Sequence, residues 1–147
     1  MIAVLQRTSN ASVLVKDKII GQIQNGVVIL LGVKKGDSYK ESKYLAQKVS
    51  KLRIFNDKQN KMNLSLMDIS GSVLVISQFT LCADTRKGRR PSFANAEYPE
   101  LSKKLYNKFI SCLADKGLDV QSGEFGSNMD VKLVNNGPVT FVLDSEE

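Results

Sequence analysis

Histidine is absent from the 147 residues of the chain. This absence excludes every Ser-His-Asp or Cys-His mechanism, and every His-ligated metal site, built from this chain alone. The two cysteines, Cys82 and Cys112, form no CxxC pair, so a four-thiolate zinc site is excluded as well. The acidic residues are scattered and show no pair typical of a glycosidase or a metal site. We therefore expect no metal and no other cofactor.

Long apolar runs are also missing. The longest, at 27–31, has the length of a strand, so we predict no membrane-spanning segment. The opening MIAVLQRTSNASV contains Arg7 and lacks a basic start followed by a long apolar run, which argues against a secretory signal. Two cysteines without a disulfide framework are typical of a reducing compartment. These features predict a cytoplasmic location.

The composition is that of an ordinary globular protein, with 42% apolar and 24% charged residues. A chain of this length favours one domain, which we place at 1–147, with a core that needs no disulfide or metal. Its 21 basic and 15 acidic residues give a formal charge of +6. That charge permits a polyanionic partner such as RNA but does not require one.

Hydrophobic periodicity predicts about seven or eight strands and two helices. The strands lie at 2–6, 12–16, 19–24, 27–33, 73–76, 118–125, 131–135 and 139–143, with weaker alternation at 53–55 and 64–66. Ser38 and Glu41 have the spacing of a capping box at the start of the first helix. Pro99 and Gly117 fit the first turn and the stop of the second. Because the helices fall between two groups of strands, we predict an α+β fold of layered β/β/α type, with both helices on one face.

Three segments carry candidate chemistry. Ser77-Gln78-Phe79-Thr80 follows a buried strand, where hydroxyls, an amide and backbone N–H groups become accessible in a fixed orientation. Asn135-Asn136-Gly137-Pro138-Val139-Thr140 is a constrained connection between two strands. The loop at 84–92 has four cations in five residues, a pattern that suits phosphate contacts. For each segment taken alone, a structural role is the favoured interpretation.

Together the segments resemble one family. SQFTL at 77–81 and NNGPVT at 135–140 are similar to the two signature motifs of D-aminoacyl-tRNA deacylases. Arg7 ahead of an Ala-Ser-Val strand, and KGRRPSF at 87–93, also resemble that family, so the similarity covers essentially the whole chain. The resemblance implies a hydrolase that removes D-amino acids from mischarged tRNA, and glycine from mischarged alanine tRNA. It also implies a homodimer with composite active sites at the interface, acting in chiral proofreading and translation quality control.

The resemblance also assigns roles to residues. It implies a cis peptide bond at Gly137-Pro138, which enters the partner subunit's site, holds the substrate's α-amino group by its carbonyls and excludes an L side chain. Arg7 braces that loop. The expected site residues are catalytic Ser77, Gln78, Phe79 and Thr80; substrate-binding Gly137, Pro138, Asn135, Val139, Thr140 and Arg7; and tRNA-binding Arg86, Lys87, Arg89 and Arg90.

Two mechanisms and three functions stay open at this point. Backbone N–H groups near Phe79 and Thr80 could hold the ester carbonyl while the terminal ribose hydroxyl orients water, or Thr80 could be a covalent nucleophile. A non-catalytic basic tRNA-binding module is the main alternative function. A small-molecule acyl hydrolase using Thr80 or Cys82 is the other.

Overall fold

The computed structural model describes residues 1–146. Its helices are α1 (Tyr39–Lys51), α2 (Leu66–Ile69) and α3 (Pro99–Ala114), with a 3₁₀ turn at Phe79–Cys82. The strands are β1 (Ile2–Val15), β2 (Lys18–Ile23), β3 (Gly26–Gly32), β4 (Phe55–Asn56), β5 (Met62–Leu64), β6 (Ser72–Ser77), β7 (Asp119–Ser122) and β8 (Asp130–Asp144). Strands at both ends and helices between them confirm the predicted α+β class.

Six strands form one mixed sheet. Its order is β2-β1-β3-β6-β7, and β8 pairs with β1 as well. The long β1 strand pairs antiparallel with β3 through its first half and with β2 through its second half, while β8 runs along its opposite edge. The β3–β6 and β6–β7 pairs are parallel. At the far edge β7 approaches β2, since a Cβ on Gly21 would lie 2.9 Å from the Ser122 carbonyl oxygen. The sheet therefore curls towards a barrel.

The two faces of this sheet bury different cores. On β6, Val73 and Val75 face the helices, whereas Leu74 and Ile76 face the inside of the curled sheet. Successive residues of a strand point to opposite faces, so a strand buried on both sides needs an unbroken apolar run. This explains the unbroken apolar runs at 27–31 in β3 and at 73–76 in β6.

The two long helices cover one face, as predicted. Ser38 caps α1 in a reciprocal box with Glu41, and Pro99 stands in the first turn of α3. The Ser42 hydroxyl donates to the Leu105 carbonyl oxygen at 3.1 Å, which ties α1 to α3. Gly117 follows α3 with φ +83°, a left-handed conformation that favours glycine.

The two strands predicted at the N-terminus are a single strand in the structure. We expected a break between 2–6 and 12–16, but β1 continues through it with a register shift between Thr8 and Asn10. The Thr8 hydroxyl donates to the Val134 carbonyl oxygen at 2.8 Å and so satisfies the ladder at the irregular position. Pairing with the whole length of β8 makes the strand continuous.

The prediction also divided the C-terminal strand wrongly. We predicted strands at 131–135 and 139–143, whereas β8 is continuous from Asp130 to Asp144. Thr8 pairs with Asn135 and Gln6 pairs with Thr140, so the four residues 136–139 face only Arg7. The Gly-Pro segment is thus a large irregular bulge within a strand, held from both sides by the pairing of β8 with β1.

Near residue 65 the predicted half-buried strand is wrong. The strand β5 ends at Leu64, and a one-turn helix, α2, begins at Leu66. Ser65 and Asp68 form a capping box there, a signal that the alternation of Leu64 and Leu66 obscured. The predicted strand at 118–125 is shorter, at Asp119–Ser122.

Tyr106 gives a stability test at alkaline pH. It is 3% exposed, its hydroxyl donates to the Val75 carbonyl oxygen at 2.8 Å, and burial raises its pKa to about 12. The folded state therefore disfavours ionisation, so Tyr106 lowers stability as pH rises from about 10 to about 12 and has no such effect below about 10. We expect Tyr106→Phe to cost about 1 kcal/mol at pH 7 and to lose less stability than wild type between pH 9 and pH 12. Urea unfolding across that range measures both; parallel pH profiles would contradict the assignment.

Candidate active site

The first candidate segment lies at the end of the parallel strand β6. The Gln78 N–H donates to the Leu31 carbonyl oxygen at 2.8 Å, and the 3₁₀ turn begins at the next residue. Gly32 allows this turn to pack closely, since a Cβ there would lie 3.0 Å from the Gln78 carbonyl oxygen and 3.1 Å from the Cys82 sulfur. The adjacent strand therefore fixes the position of the turn.

Two backbone donors at the start of this turn are free. Among the described residues, no hydrogen-bond acceptor is recorded for the N–H of Phe79 or of Thr80. Both residues are exposed. Two adjacent free N–H groups in a rigid turn can stabilise a developing oxyanion.

The side chains of the turn offer no base. The Gln78 amide donates to the Thr80 hydroxyl at 2.5 Å, and an amide nitrogen cannot accept the hydroxyl proton. Cys82 is 4% exposed, its thiol contacts the Val33 carbonyl oxygen, and burial raises its pKa. A thiol of this kind is a poor nucleophile, which argues against the acyl hydrolase that would use Cys82.

A cavity of about 680 Å³ opens beside the turn. Ser77, Gln78 and Phe79 form one part of its wall. The Phe79 ring meets Phe93 edge-to-face with centroids 5.0 Å apart. Other parts of the wall come from helix α3 and the β7–β8 connection, and include Tyr106, Phe125 and Met129. Aromatic walls with a few polar groups suit a planar ring that carries a reactive polar end.

The second segment projects from β8. Its Gly137-Pro138 peptide bond is cis, and both residues are exposed. The Asn135 side-chain amide donates to the Arg7 carbonyl oxygen at 3.0 Å and to the Val139 carbonyl oxygen at 3.2 Å, which closes the base of the loop. The Val139 side chain is 5% exposed and anchors the far end in the core.

Arg7 supports the same loop from below. Its guanidinium donates to the Asn136 carbonyl oxygen at 2.8 Å and to the Ile54 carbonyl oxygen at 2.7 Å. The guanidinium also donates to the Asn56 side-chain oxygen at 3.2 Å. Arg7 is 9% exposed, and all of its recorded acceptors within residues 1–146 are neutral oxygens. The rigid fork of arginine therefore joins the loop to the β4 strand.

One chain does not bring the two segments together. The cavity beside the 3₁₀ turn is lined by residues from 31 to 131, and none of the candidate residues at 135–140 lines it. Thr140 lies on β8 beyond the bulge, paired with Gln6. Within residues 1–146, the wall of this cavity therefore contains the first motif and not the second.

The basic loop is closed by a bridge between Asp84 and Ser92. Arg86 donates to both carboxylate oxygens of Asp84, at 2.9 and 2.7 Å, and this pairing holds the pKa of Asp84 well below its usual range. Lys87, Arg89 and Arg90 are exposed. Three cations of the loop thus face solvent, while Arg86 is already partnered.

Residues 1–146 offer neither a metal centre nor a membrane-spanning helix. They contain no group of three or more side chains placed to hold a metal ion. No helix in that range is long and apolar enough to cross a membrane.

Several residues of this site escaped the sequence analysis. Gly32 positions the turn, but a glycine at a strand end has no distinctive pattern. Phe125 and Met129 lie in a connection between strands, where apolar residues show no periodicity. The Ile54 partner of Arg7 is a backbone oxygen, which no residue type reveals. Asn56 alone carried a signal, as a polar residue after a short strand.

Comparison with known proteins agrees with this architecture. The family model described as D-Tyr-tRNA(Tyr) deacylase matches residues 4–144. Proteins named D-aminoacyl-tRNA deacylase from Thermosipho africanus and Fervidobacterium nodosum are 52% and 53% identical, covering 100% of this chain and 99% of each relative. The solved structure of a c-Myc DNA Unwinding Element Binding Protein superposes with a TM-score of 0.92 at 37% identity, covering 98% of both chains. A probable eukaryotic D-amino acid tRNA deacylase shares the fold, with a TM-score of 0.83 at 18% identity and 97% coverage of both.

The fold and these relatives define an α+β hydrolase that acts on the ester bond of aminoacyl-tRNA. More narrowly, the chain belongs to the D-Tyr-tRNA(Tyr) deacylase family, and its activity is that of a D-aminoacyl-tRNA deacylase.

Proposed function

We propose that this enzyme is a chiral proofreading hydrolase whose active site forms only between two copies of the chain. One observation carries the proposal: the cavity at Ser77–Phe79 and the exposed Gly137-Pro138 loop are separate in one chain, and each is rigidly held. A homodimer that inserts the loop of one subunit into the partner's cavity would complete two equivalent sites. Closed two-fold symmetry makes such an exchange reciprocal.

In this arrangement the loop selects by exclusion. The carbonyl oxygens at Gly137 and Pro138 would accept hydrogen bonds from the substrate's α-ammonium group. With the ammonium and the ester fixed, an L side chain would point into the loop, whereas a D side chain would point away. Discrimination by a clash is effective because a rigid loop cannot yield to it. Glycine has no side chain to exclude, so the same site would hydrolyse glycine from mischarged alanine tRNA.

The ester would be activated by position and hydrogen bonding. The free N–H groups of Phe79 and Thr80 would hold the carbonyl oxygen as negative charge develops on it. Ser77 and Gln78 would orient the substrate, with Val139 and Thr140 supporting the loop. The terminal ribose hydroxyl would orient the attacking water, which explains how a chain without histidine hydrolyses an ester. The terminal adenosine would occupy the aromatic cavity.

The remaining tRNA would contact the basic loop. Lys87, Arg89 and Arg90 are exposed and suited to phosphates, while Arg86 would first have to leave Asp84. Such a function in translation quality control belongs in the cytoplasm. The two free cysteines, Cys82 and Cys112, are compatible with that reducing compartment.

Side-by-side hydrolysis of D-tyrosyl-tRNA and L-tyrosyl-tRNA tests the proposal, with Pro138→Ala alongside. We expect release from the D ester only, and an impaired or less selective variant, because alanine frees a backbone angle that proline fixes. Equal loss from both esters at the rate of the protein-free control would refute the deacylase mechanism. A non-catalytic tRNA-binding module would then be the better description.

Thr80→Ala distinguishes the two mechanisms. Among the described residues, the Thr80 hydroxyl has no basic partner and contacts only the Gln78 amide. We therefore expect hydrolysis of D-tyrosyl-tRNA within about threefold of wild type, because the backbone N–H remains. A loss of about 10³-fold or more, restored by Thr80→Ser, would establish Thr80 as a nucleophile instead.

A further inference from the structure

The positive charge of this protein is concentrated on its helical layer. Helix α1 carries four lysines and one glutamate, and α3 carries three lysines and one glutamate. The two helices therefore contribute +5 of the formal +6. The basic loop at 84–92 adds +3, and the remaining residues together carry −2.

Part of this charge lines a groove between the two helices. The groove has a volume of about 480 Å³ and is lined by Tyr39, Lys43, Lys104, Asn107, Lys108 and Ser111. Lys104 pairs with Glu100 at 3.1 Å, whereas Lys43 and Lys108 have no recorded acidic partner within residues 1–146. The groove thus presents two uncompensated cations.

The chemistry of the groove fits a nucleic-acid strand better than a lipid surface. Tyr39 is 54% exposed and offers an aromatic face. Asn107 offers an amide, and the Ser111 hydroxyl, which donates to the Lys108 carbonyl oxygen at 3.0 Å, can accept a hydrogen bond. A cationic groove with an aromatic ring is the combination that single-stranded nucleic acid requires, since phosphates meet the cations and bases stack on the ring. No aliphatic side chain lines it, so it offers nothing for acyl chains.

The groove is also close to the active-site cavity. Ser102 and Tyr106 of α3 line the cavity, while Lys104 and Lys108 of the same helix line the groove. Positions two apart on a helix lie on nearly opposite sides, so the two sites are separated by about one helix diameter, roughly 10–12 Å. A strand whose last nucleoside enters the cavity can cross α3 within a few nucleotides.

We propose that the α1–α3 groove binds the single-stranded 3′ end of tRNA, just upstream of the nucleoside held in the cavity. This rests on the proposed function for its choice of RNA. Lys43 and Lys108 contact phosphates, and Tyr39 stacks on a base. The basic loop and this groove then bind the tRNA at two separate places.

A matched pair of double variants tests the proposal. Lys43→Gln with Lys108→Gln removes two charges from the groove. Lys16→Gln with Lys18→Gln removes two from the exposed ends of the β1–β2 turn. Binding of uncharged tRNA is measured by fluorescence anisotropy from 50 to 300 mM salt. We expect the groove variant to bind about tenfold more weakly at low salt, with a log–log salt slope shallower by about 1.4. The turn variant should match wild type.

A short substrate separates this inference from the proposed function. D-tyrosyl-adenosine carries the same ester but cannot reach the groove, so both double variants should cleave it at the wild-type rate. Equal salt slopes for the two double variants would overturn the groove assignment. If wild type cleaves neither D-tyrosyl-tRNA nor the short ester, the proposed function fails, while the tRNA salt slopes still decide the groove.

Discussion

Replacement of Gly137 by alanine is expected to reduce hydrolysis of D-tyrosyl-tRNA by about 100-fold while leaving the fold intact. An added Cβ would lie 2.7 Å from the Val139 nitrogen and 2.8 Å from the Asn135 side-chain oxygen. Both distances are too short, so the loop or the Asn135 side chain must move. Asn135 closes the base of the loop through two hydrogen bonds. A displacement of about 1 Å at a positioning group is enough for such a loss.

Stability should change little in this variant, because Gly137 is exposed and a small local shift at Asn135 and Val139 relieves the clash. Gly117→Ala is the matched control. It forces alanine into a left-handed conformation, φ +83°, with no heavy atom within 4 Å of the new Cβ. It should lower stability by about 1 kcal/mol yet keep full activity. Steady-state hydrolysis and thermal unfolding of both variants give the comparison. Activity of Gly137→Ala within twofold of wild type would show that the loop is not part of the site.

Local signals predicted the helical layer well. The capping box at Ser38 and Glu41 and the first-turn Pro99 depend on neighbours within a few residues, so the sequence pattern contains the whole interaction. The same is true of the strand that ends at Ser77, whose apolar run reflects burial on both faces. Local chemistry therefore identified the strand end that forms the wall of the cavity.

The rest of the fold depends on pairing between residues far apart in the chain, which the local sequence pattern could not reveal. The sequence predicted a strand break at Gly137, yet β1 pairs with β8 on both sides of it and turns the break into a bulge. In the same way, the acceptors of Arg7 lie 47 and 129 residues away. A loop's sequence indicates that it is constrained, but only the strand across from it determines where it points.

Arg7→Lys is expected to lower hydrolysis of D-tyrosyl-tRNA by about 10- to 100-fold, with a loss of about 1–3 kcal/mol of stability. Lysine keeps the positive charge but lacks the fixed fork of the guanidinium, in which two separate nitrogens reach the Asn136 and Ile54 carbonyl oxygens. The loop would then lose its tie to β4. We therefore expect Arg7 to act as a positioning residue, because its hydrogen bonds go to Asn136 of the loop and to the Ile54 and Asn56 oxygens.

Asn56→Ala separates positioning from plain destabilisation. It removes one acceptor of Arg7, at 3.2 Å, and leaves the contact with Asn136 intact. If the hydrogen bonds from Arg7 to the loop position it, Asn56→Ala should lose some stability but keep the wild-type rate and the preference for D over L esters. Arg7→Lys should lose rate even at temperatures where circular dichroism shows it fully folded. Equal activity losses at equal stability losses would mean that Arg7 acts only by holding the fold together. A rate that follows the loop contact would instead show that a buried cation with neutral acceptors sets the position of the Gly137-Pro138 loop.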